Sequence, residues 1–359
     1  MNAPTQLRPE PGPQMGSVVS DPGIPTLEKA LDPNVLRECL PEVLPPEWGA
    51  IRDVQLQVLR HQPGKGRCTF EITLGTTSGS HSLIGKVYAE DRSDVYRAME
   101  EIVRAGFGPE KEFAIPRPVA FLAPLRLLLY EKAPGTRSTV SILSPTGSDR
   151  ALAAERCARW LARFHAQGPR SWRVVHLNHQ LRFLEECWRS LADLGRPFGD
   201  KASRLFDQLN ATARGLGGSE MCAGHGMYTC GQVLLTEGRT VTVDWDTYRV
   251  ADPSYDVARM LISFARLALK HFGSIDSLDR AGEVFLKTYV AAGRLVVAGH
   301  LAFQKAAICL ERAKGDLEKQ GRGWRERAEA MLDEGARILK LGVFFLSLEW
   351  PEWIALMFA

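Results

Sequence analysis

The stretch His225-Gly226-Met227-Tyr228-Thr229-Cys230-Gly231-Gln232, followed by Asp244-Trp245-Asp246 and Asp252-Pro253-Ser254-Tyr255-Asp256, is the densest cluster of reactive side chains in the sequence. Between its first two segments, residues 232–246 read as two strands joined by a Glu237-Gly238 turn, the usual chemistry of a hairpin. A strand that ends in Asp-Trp-Asp puts a carboxylate at an exposed edge, which suits a hard, oxygen-seeking cation such as Mg²⁺. The plainer reading is turn and cap chemistry. Asp252-Pro253 ahead of a helical pattern makes an N-cap that needs no function.

Working outward, helical apolar spacing marks residues 151–168, 181–195, 255–273 and 282–295. Upstream the period changes to two. DVQLQVLRH (53–61), CTFEITL (68–74) and SLIGKVYA (82–89) read as strands separated by the turns Pro63-Gly64-Lys65-Gly66 and TTSGS. Asp91 or Ser93 caps a helix that carries Met99, Ile102 and Val103 on one face and stops at Gly106 or Gly108. RLLLYEKAPG (126–135) reads as a buried strand running into a linker. The expected class is therefore α+β, with a small antiparallel-sheet lobe over 26–133 and a larger, mainly helical lobe over 134–359. Such an arrangement offers a cleft for a ligand. Residues 1–25, rich in Pro, Gly and Ser, are expected to form a flexible tail.

The totals narrow the classes. A chain of 359 residues, 45% hydrophobic and 24% charged, has the composition of an ordinary globular protein. A formal net charge of +3 with no run of like charge disfavours nucleic acid as a partner. Seven scattered cysteines and the lack of a signal-peptide pattern point to free thiols and a cytoplasmic location. Cys222, His225 and Cys230 lack a fourth soft ligand at zinc-module spacing. No apolar run is long enough to span a bilayer, since Lys340, Glu349, Pro351 and Glu352 interrupt the C-terminal one. That segment reads as a helix docked on the protein or as a surface for a protein partner, and Trp350 and Trp353 within it read as core or interface.

The ordered set HGMYTCGQ, VDWD and DPSYD resembles the aminoglycoside phosphotransferase and choline kinase family, relatives of the protein kinases. That family's catalytic loop runs His-Gly-Asp, four residues, then Asn, followed by an Asp-bearing strand and an Asp-Pro-x-x-Asp helix start. Lys86 in SLIGKVYA resembles the family lysine that holds nucleotide phosphates. EKAPG resembles the hinge between lobes, and LARFHAQG resembles a helix end that the family writes as Leu-x-x-Leu-His. The resemblance implies a two-lobed protein-kinase-like fold that binds ATP and Mg²⁺. It implies that Lys86 pairs with phosphate, steadied by Glu100 or Glu101. The Gly64-Lys65-Gly66 turn would cover the phosphates, and the backbone from Glu131 to Ala133 would meet the adenine. Asp244 and Gln232 would hold the metal. His225 would brace the loop, and Asp256 would cap its helix and tie the loop down.

Two departures stand out. Gln232 replaces the family Asn and keeps its amide oxygen. Met227 occupies the place of the aspartate that accepts the substrate hydroxyl's proton, and a thioether is no base. General-base catalysis is worth about 10²–10⁴-fold in rate. Phosphoryl transfer draws most of its acceleration from positioning and charge neutralisation, so loss of the base predicts a slow enzyme. Asp246, Tyr228 and Cys230 are the neighbours able to substitute. The implied function is an ATP-dependent phosphotransferase of a small hydroxylated molecule with impaired or altered catalysis. The alternative is an inactive pseudokinase serving as a binding or scaffold module.

Overall fold

A computed structural model describes residues 20–293 and 298–345, and the chain divides into two compact units. The first comprises the chain to Pro109 together with Ile115–Pro134, and the second comprises Glu110–Ala114 and Gly135–Ala359.

In the first unit two short helices, α1 (Leu27–Ala30) and α2 (Pro33–Cys39), precede the strands β1 (Ile51–His61), β2 (Arg67–Thr76) and β3 (Ser80–Tyr88). Helix α2 begins where Asp32 accepts from the Asn34 N–H at 2.8 Å and Pro33 presets the first turn. Helix α3 (Ser93–Ile102) follows. The chain then contributes β4 (Phe113–Ala114) to the second unit and continues with β5 (Pro118–Leu122) and β6 (Leu127–Glu131). The sheet has the order β1-β2-β3-β6-β5, antiparallel throughout. Period-two burial is plainest in β2, where Cys68, Phe70, Ile72, Leu74 and Thr76 are buried and the residues between them are half-buried. That face packs with Leu83, Val87, Leu127 and Leu129 against Ile24, Leu27, Leu36 and Leu40. Order therefore starts before residue 26. Asp21 accepts from the Gly23 N–H and sits 3.0 Å from His61, and Ile24 is sunk in the sheet core. Residues 1–19 of the expected tail lie outside the described residues.

The second unit contains a four-stranded sheet, β4-β10-β9-β7, built from β7 (Thr136–Arg137), β9 (Val233–Leu235) and β10 (Thr240–Thr242). A two-stranded pair joins β8 (Cys222–Gly224) to β11 (Arg249–Ala251). The expected Glu237-Gly238 turn is there, with Gly238 at φ 72°. Around these lie α4 (Ser138–Ile142), α5 (Gly147–Gln167), α6 (Leu177–Ala192), α7 (Phe198–Gly215), α8 (Ser254–Phe272), α9 (Asp279–Ala291), α10 (Ala298–Lys319) and α11 (Trp324–Phe345). Helix α10 runs through the centre of the unit, packed against α6, α7, α8 and α11. Residues Leu301–Leu310 of α10 are buried without exception. Asp252 fixes the start of α8 by accepting from the Ser254 N–H at 2.7 Å, and its other oxygen lies 2.6 Å from Nδ1 of His300 on α10. All seven cysteines are free thiols. Residues 346–359, which include Trp350 and Trp353, lie outside the described residues.

An aromatic cluster locks α5 to the segment that opened the sequence analysis. The Trp160 ring lies 5.1 Å from Phe164, 5.6 Å from Tyr228 and 5.8 Å from Trp245. Its Nε1–H donates to the Ala114 carbonyl at 3.2 Å. Replacing Trp160 with Ala is expected to cost about 3–5 kcal/mol, read as a lower urea midpoint with a smaller near-ultraviolet circular dichroism signal from the buried rings.

Candidate functional site

In the first unit, Lys86 lies on the central strand β3, registered between Thr69 of β2 and Leu128 of β6, and only 5% of its surface is exposed. Alternation sets it opposite Leu83 and Val87, hence on the sheet face away from α1 and α2. Helix α3 packs against β5 and β6, burying Val95, Ala98, Met99 and Ile102. Of the two candidate glutamates, Glu100 is engaged by the Tyr96 hydroxyl at 3.3 Å and by Arg104 at 3.5 Å. The Gly64-Lys65-Gly66 turn needs its glycines, because φ is 74° at Gly64 and 66° at Gly66. Glu131 ends β6 with its carboxylate 3.7 Å from Arg117. The Lys132 N–H is tied to the Ser82 carbonyl at 3.0 Å, and Ala133 is half-buried.

In the second unit, the loop after β8 is organised by one buried carboxylate. Asp256 accepts from the backbone N–H of His225 at 2.6 Å, Gly226 at 2.9 Å and Tyr228 at 3.5 Å. Burial pushes the Asp256 pKa up. His165, whose Nε2 is 3.5 Å away, and Arg249 outweigh burial and hold the carboxyl below its ordinary value. Burial likewise opposes charge on His165, yet Tyr289 and Cys222, and after them Asp256, keep its pKa well above the ordinary value. His225 is fully buried. Its Nδ1 accepts from the Met227 N–H at 3.2 Å, so Nε2 carries the proton and donates to the Val243 carbonyl at 3.0 Å. Both ring nitrogens are thereby committed to backbone groups, and the ring braces the loop against β10. Only glycine fits at 226, where φ is 77° and a Cβ would fall 2.2 Å from the Thr247 carbonyl oxygen.

Asp244 follows β10 in a left-handed conformation, φ 74° and ψ 66°, that an L-residue adopts at some cost. Asp246 sits half-buried in the single turn Trp245–Thr247. The Oε1 of Gln232 accepts a hydrogen bond from the Thr229 hydroxyl. The neighbours able to replace a base at 227 separate clearly. The Tyr228 hydroxyl donates to the Cys157 carbonyl at 2.8 Å inside the core, and burial drives its pKa far up. Burial also raises the Cys230 thiol, which meets Ser263 at 3.4 Å. Both are buried in the core as poor bases, so Asp246 is the remaining candidate of the three.

Among the described residues, no group of three or more His, Cys, Asp and Glu side chains is arranged to hold a metal ion. A single half-buried carboxylate with a nearby amide oxygen is nevertheless a donor set that Mg²⁺ accepts when phosphates and waters complete its octahedron. Sequence reasoning missed the side chains that surround Met227, Arg259 of α8 and Arg312 of α10, whose terminal nitrogens lie 3.6 and 3.8 Å from its sulfur. Arg259 follows Asp256 by three residues on one helix, a spacing that places both on one side. Arg312 is 85 residues away from Met227 in sequence, with no local signal.

Comparisons with known proteins identify the family and the fold. The sequence profile of the phosphotransferase enzyme family matches residues 75–294. No curated protein matches the chain in sequence. The fold is shared with choline kinase from Streptococcus pneumoniae, at 14% identity and a TM-score of 0.59, covering 86% of this chain and 98% of that one. It is shared with a choline/ethanolamine kinase family protein from Mesorhizobium loti, at 16% identity and a TM-score of 0.55, covering 84% and 92%. A spectinomycin phosphotransferase in complex with ADP and spectinomycin is similar at 14% identity and a TM-score of 0.53, covering 88% and 99%.

Asp256→Asn is expected to lower the stability of the second unit by about 3–5 kcal/mol, because it leaves His165 a buried charge without its counter-ion. The pH profile follows from the two shifts. The contribution of Asp256 is complete above its ordinary 3.8 and is lost as pH falls through the depressed folded value. That of His165 is complete below 6.5 and is lost as pH rises through the raised folded value. Urea midpoints measured across pH should therefore show the variant's deficit largest between about 3.8 and 6.5 and smaller on either side.

Proposed function

Because the chain belongs to the phosphotransferase enzyme family, we propose that it binds Mg-ATP and transfers the γ-phosphoryl group slowly to a hydroxyl of a small molecule. The observation that carries this reading is the loop held by Asp256. That loop carries the thioether of Met227 at the place where the resemblance implies the family's aspartate. A spectinomycin phosphotransferase of the same fold was captured with ADP, which supports a nucleotide as the donor. Lys86 is the proposed phosphate ligand. Glu100 or Glu101 is the proposed partner that steadies it. The Gly64-Lys65-Gly66 turn is proposed to offer backbone N–H groups to the phosphates, and the Glu131 to Ala133 backbone to bond the adenine. Asp244 and Gln232 would hold Mg²⁺, which when bound neutralises charge on the phosphate oxygens. In the reaction the acceptor oxygen forms its bond to the γ-phosphorus while the bridging bond breaks and its electrons leave on ADP. The hydroxyl proton passes to Asp246 or to water.

A scaffold role without catalysis is the second reading, favoured by the committed hydrogen bonds of Tyr228 and His225. The two separate by experiment. Mg-ATP is expected to raise the melting temperature of the parent protein, with the shift lost in Lys86→Ala and in Asp244→Ala. No shift in the parent would end the nucleotide reading. Transfer measured over a panel of hydroxylated acceptors is expected at a rate about 10²–10⁴-fold below that of enzymes with a base at this position. Turnover that vanishes in Asp244→Ala excludes the pure scaffold, and a complete lack of turnover with intact Mg-ATP binding establishes it.

A further inference from the structure

The position at which a phosphotransferase of this family needs a carboxylate is surrounded here by positive charge. Nη1 of Arg259 lies 3.6 Å from the Met227 sulfur, and Nη2 of Arg312 lies 3.8 Å from it. A thioether is a weak acceptor and neutralises neither group. Arg259 is 5% exposed, and its other terminal nitrogen donates both to Glu311 and to the Tyr255 hydroxyl. Burial opposes its charge, but Glu311 overcomes this and holds its pKa above the ordinary value. Glu311 therefore answers one guanidinium.

Nothing answers the other. Among the described residues no carboxylate lies within ion-pair distance of Arg312, and its buried Nε has no hydrogen-bond partner. Two guanidiniums against one carboxylate leave one positive charge unbalanced. Burial, then the fields of Arg259 and Arg266, pull the Arg312 pKa down to about 10, as expected for a cation without a counter-ion. The other groups facing this centre do not change the balance. Arg266 is occupied by Asp316 at 2.7 and 2.8 Å, and Arg249 lies over the Tyr255 ring at 5.2 Å. An unpaired buried cation is costly to a folded protein, and it is relieved when an anion arrives. Two more groups are unmet, and the first is Nε of Arg259. The second, Oε1 of Glu311, is buried with no donor.

We propose that Arg259 and Arg312 form a binding site for an oxyanionic group, a carboxylate or a phosphate ester, carried by the molecule this protein acts on, and that Met227 keeps the site open. Guanidinium nitrogens converging from two helices match the paired oxygens of such a group. An aspartate at 227 would fill the site with its own carboxylate. A methionine of similar reach lines it without charge and leaves the vacancy to the ligand. The unpaired Glu311 oxygen fits a ligand that carries a hydroxyl beside its anionic group. As a statement about the acceptor this rests on the proposed phosphotransfer function. The anion site itself rests only on the arginines.

The test is calorimetric titration of the full chain, without nucleotide, using inorganic phosphate in one arm and malonate in the other. The preferred probe reports which oxyanion the site takes. The parent is expected to bind at least one. Arg312→Gln and Met227→Asp are each expected to weaken binding about tenfold or more, whereas Lys287→Ala, at an exposed lysine outside both proposed sites, leaves it unchanged. A second readout does not depend on ligand: both Arg312→Gln and Met227→Asp should raise the melting temperature of the free protein, the first by removing the unbalanced charge and the second by pairing it. Binding of neither probe by the parent, or unchanged binding in both variants, overturns the proposal. So does binding that is lost in Lys86→Ala but kept in Arg312→Gln, since the probe would then report the nucleotide phosphate site. A parent that responds to Mg-ATP but to neither anion keeps the proposed function and loses this site, and the converse keeps this site and loses the nucleotide.

Discussion

One buried carboxylate, Asp256, holds the rest together. Three backbone N–H groups of the loop at 225–228, those of His225, Gly226 and Tyr228, point inward and need an acceptor. Asp256 collects them from the first turn of α8, and His165 of α5 faces the same oxygen from the other side. A carboxylate this deep is tolerable only because it is both hydrogen-bonded and paired. The conformation at Gly226 and the commitment of both His225 nitrogens follow from that anchor. The loop is thus rigid for electrostatic reasons before any ligand is considered.

What was legible in the sequence and what was not divides on physical lines. Strand alternation in β2 and the glycine turns at 64–66 and 238 are local properties, and they appear where their spacing expects them. The hairpin at 233–242 and the helices α5, α6 and α8 are equally local. Helices α7, α10 and α11 were not singled out. In α10 the reason is clear: residues 301–310 are buried all round, so no polar stripe opposes an apolar one, and Gln304 and Lys305 break the pattern from inside the core. The start of the first unit was also read too late, because Ile24 works through distant sheet residues that no local pattern reveals.

The candidate site shows the same limit more sharply. The replacement at 227 is visible in the sequence, but its surroundings are not. Read alone, a methionine in place of a base is a loss. Between Arg259 and Arg312 it has a different meaning, because the charge that an aspartate would contribute is still demanded by its neighbours. Which of Glu100 and Glu101 matters was open to periodicity, since adjacent helical residues flank the same face.

The backbone at Asp244 carries a consequence for anyone who engineers this chain. A left-handed residue with a Cβ gives up about 1 kcal/mol that glycine would keep, so Asp244→Gly is a substitution a thermostability screen would reward. Selection for heat resistance alone would then strip out the carboxylate proposed to hold the metal. Directed evolution of this scaffold should hold residue 244 fixed, because the proposed metal ligand would be the residue traded for stability.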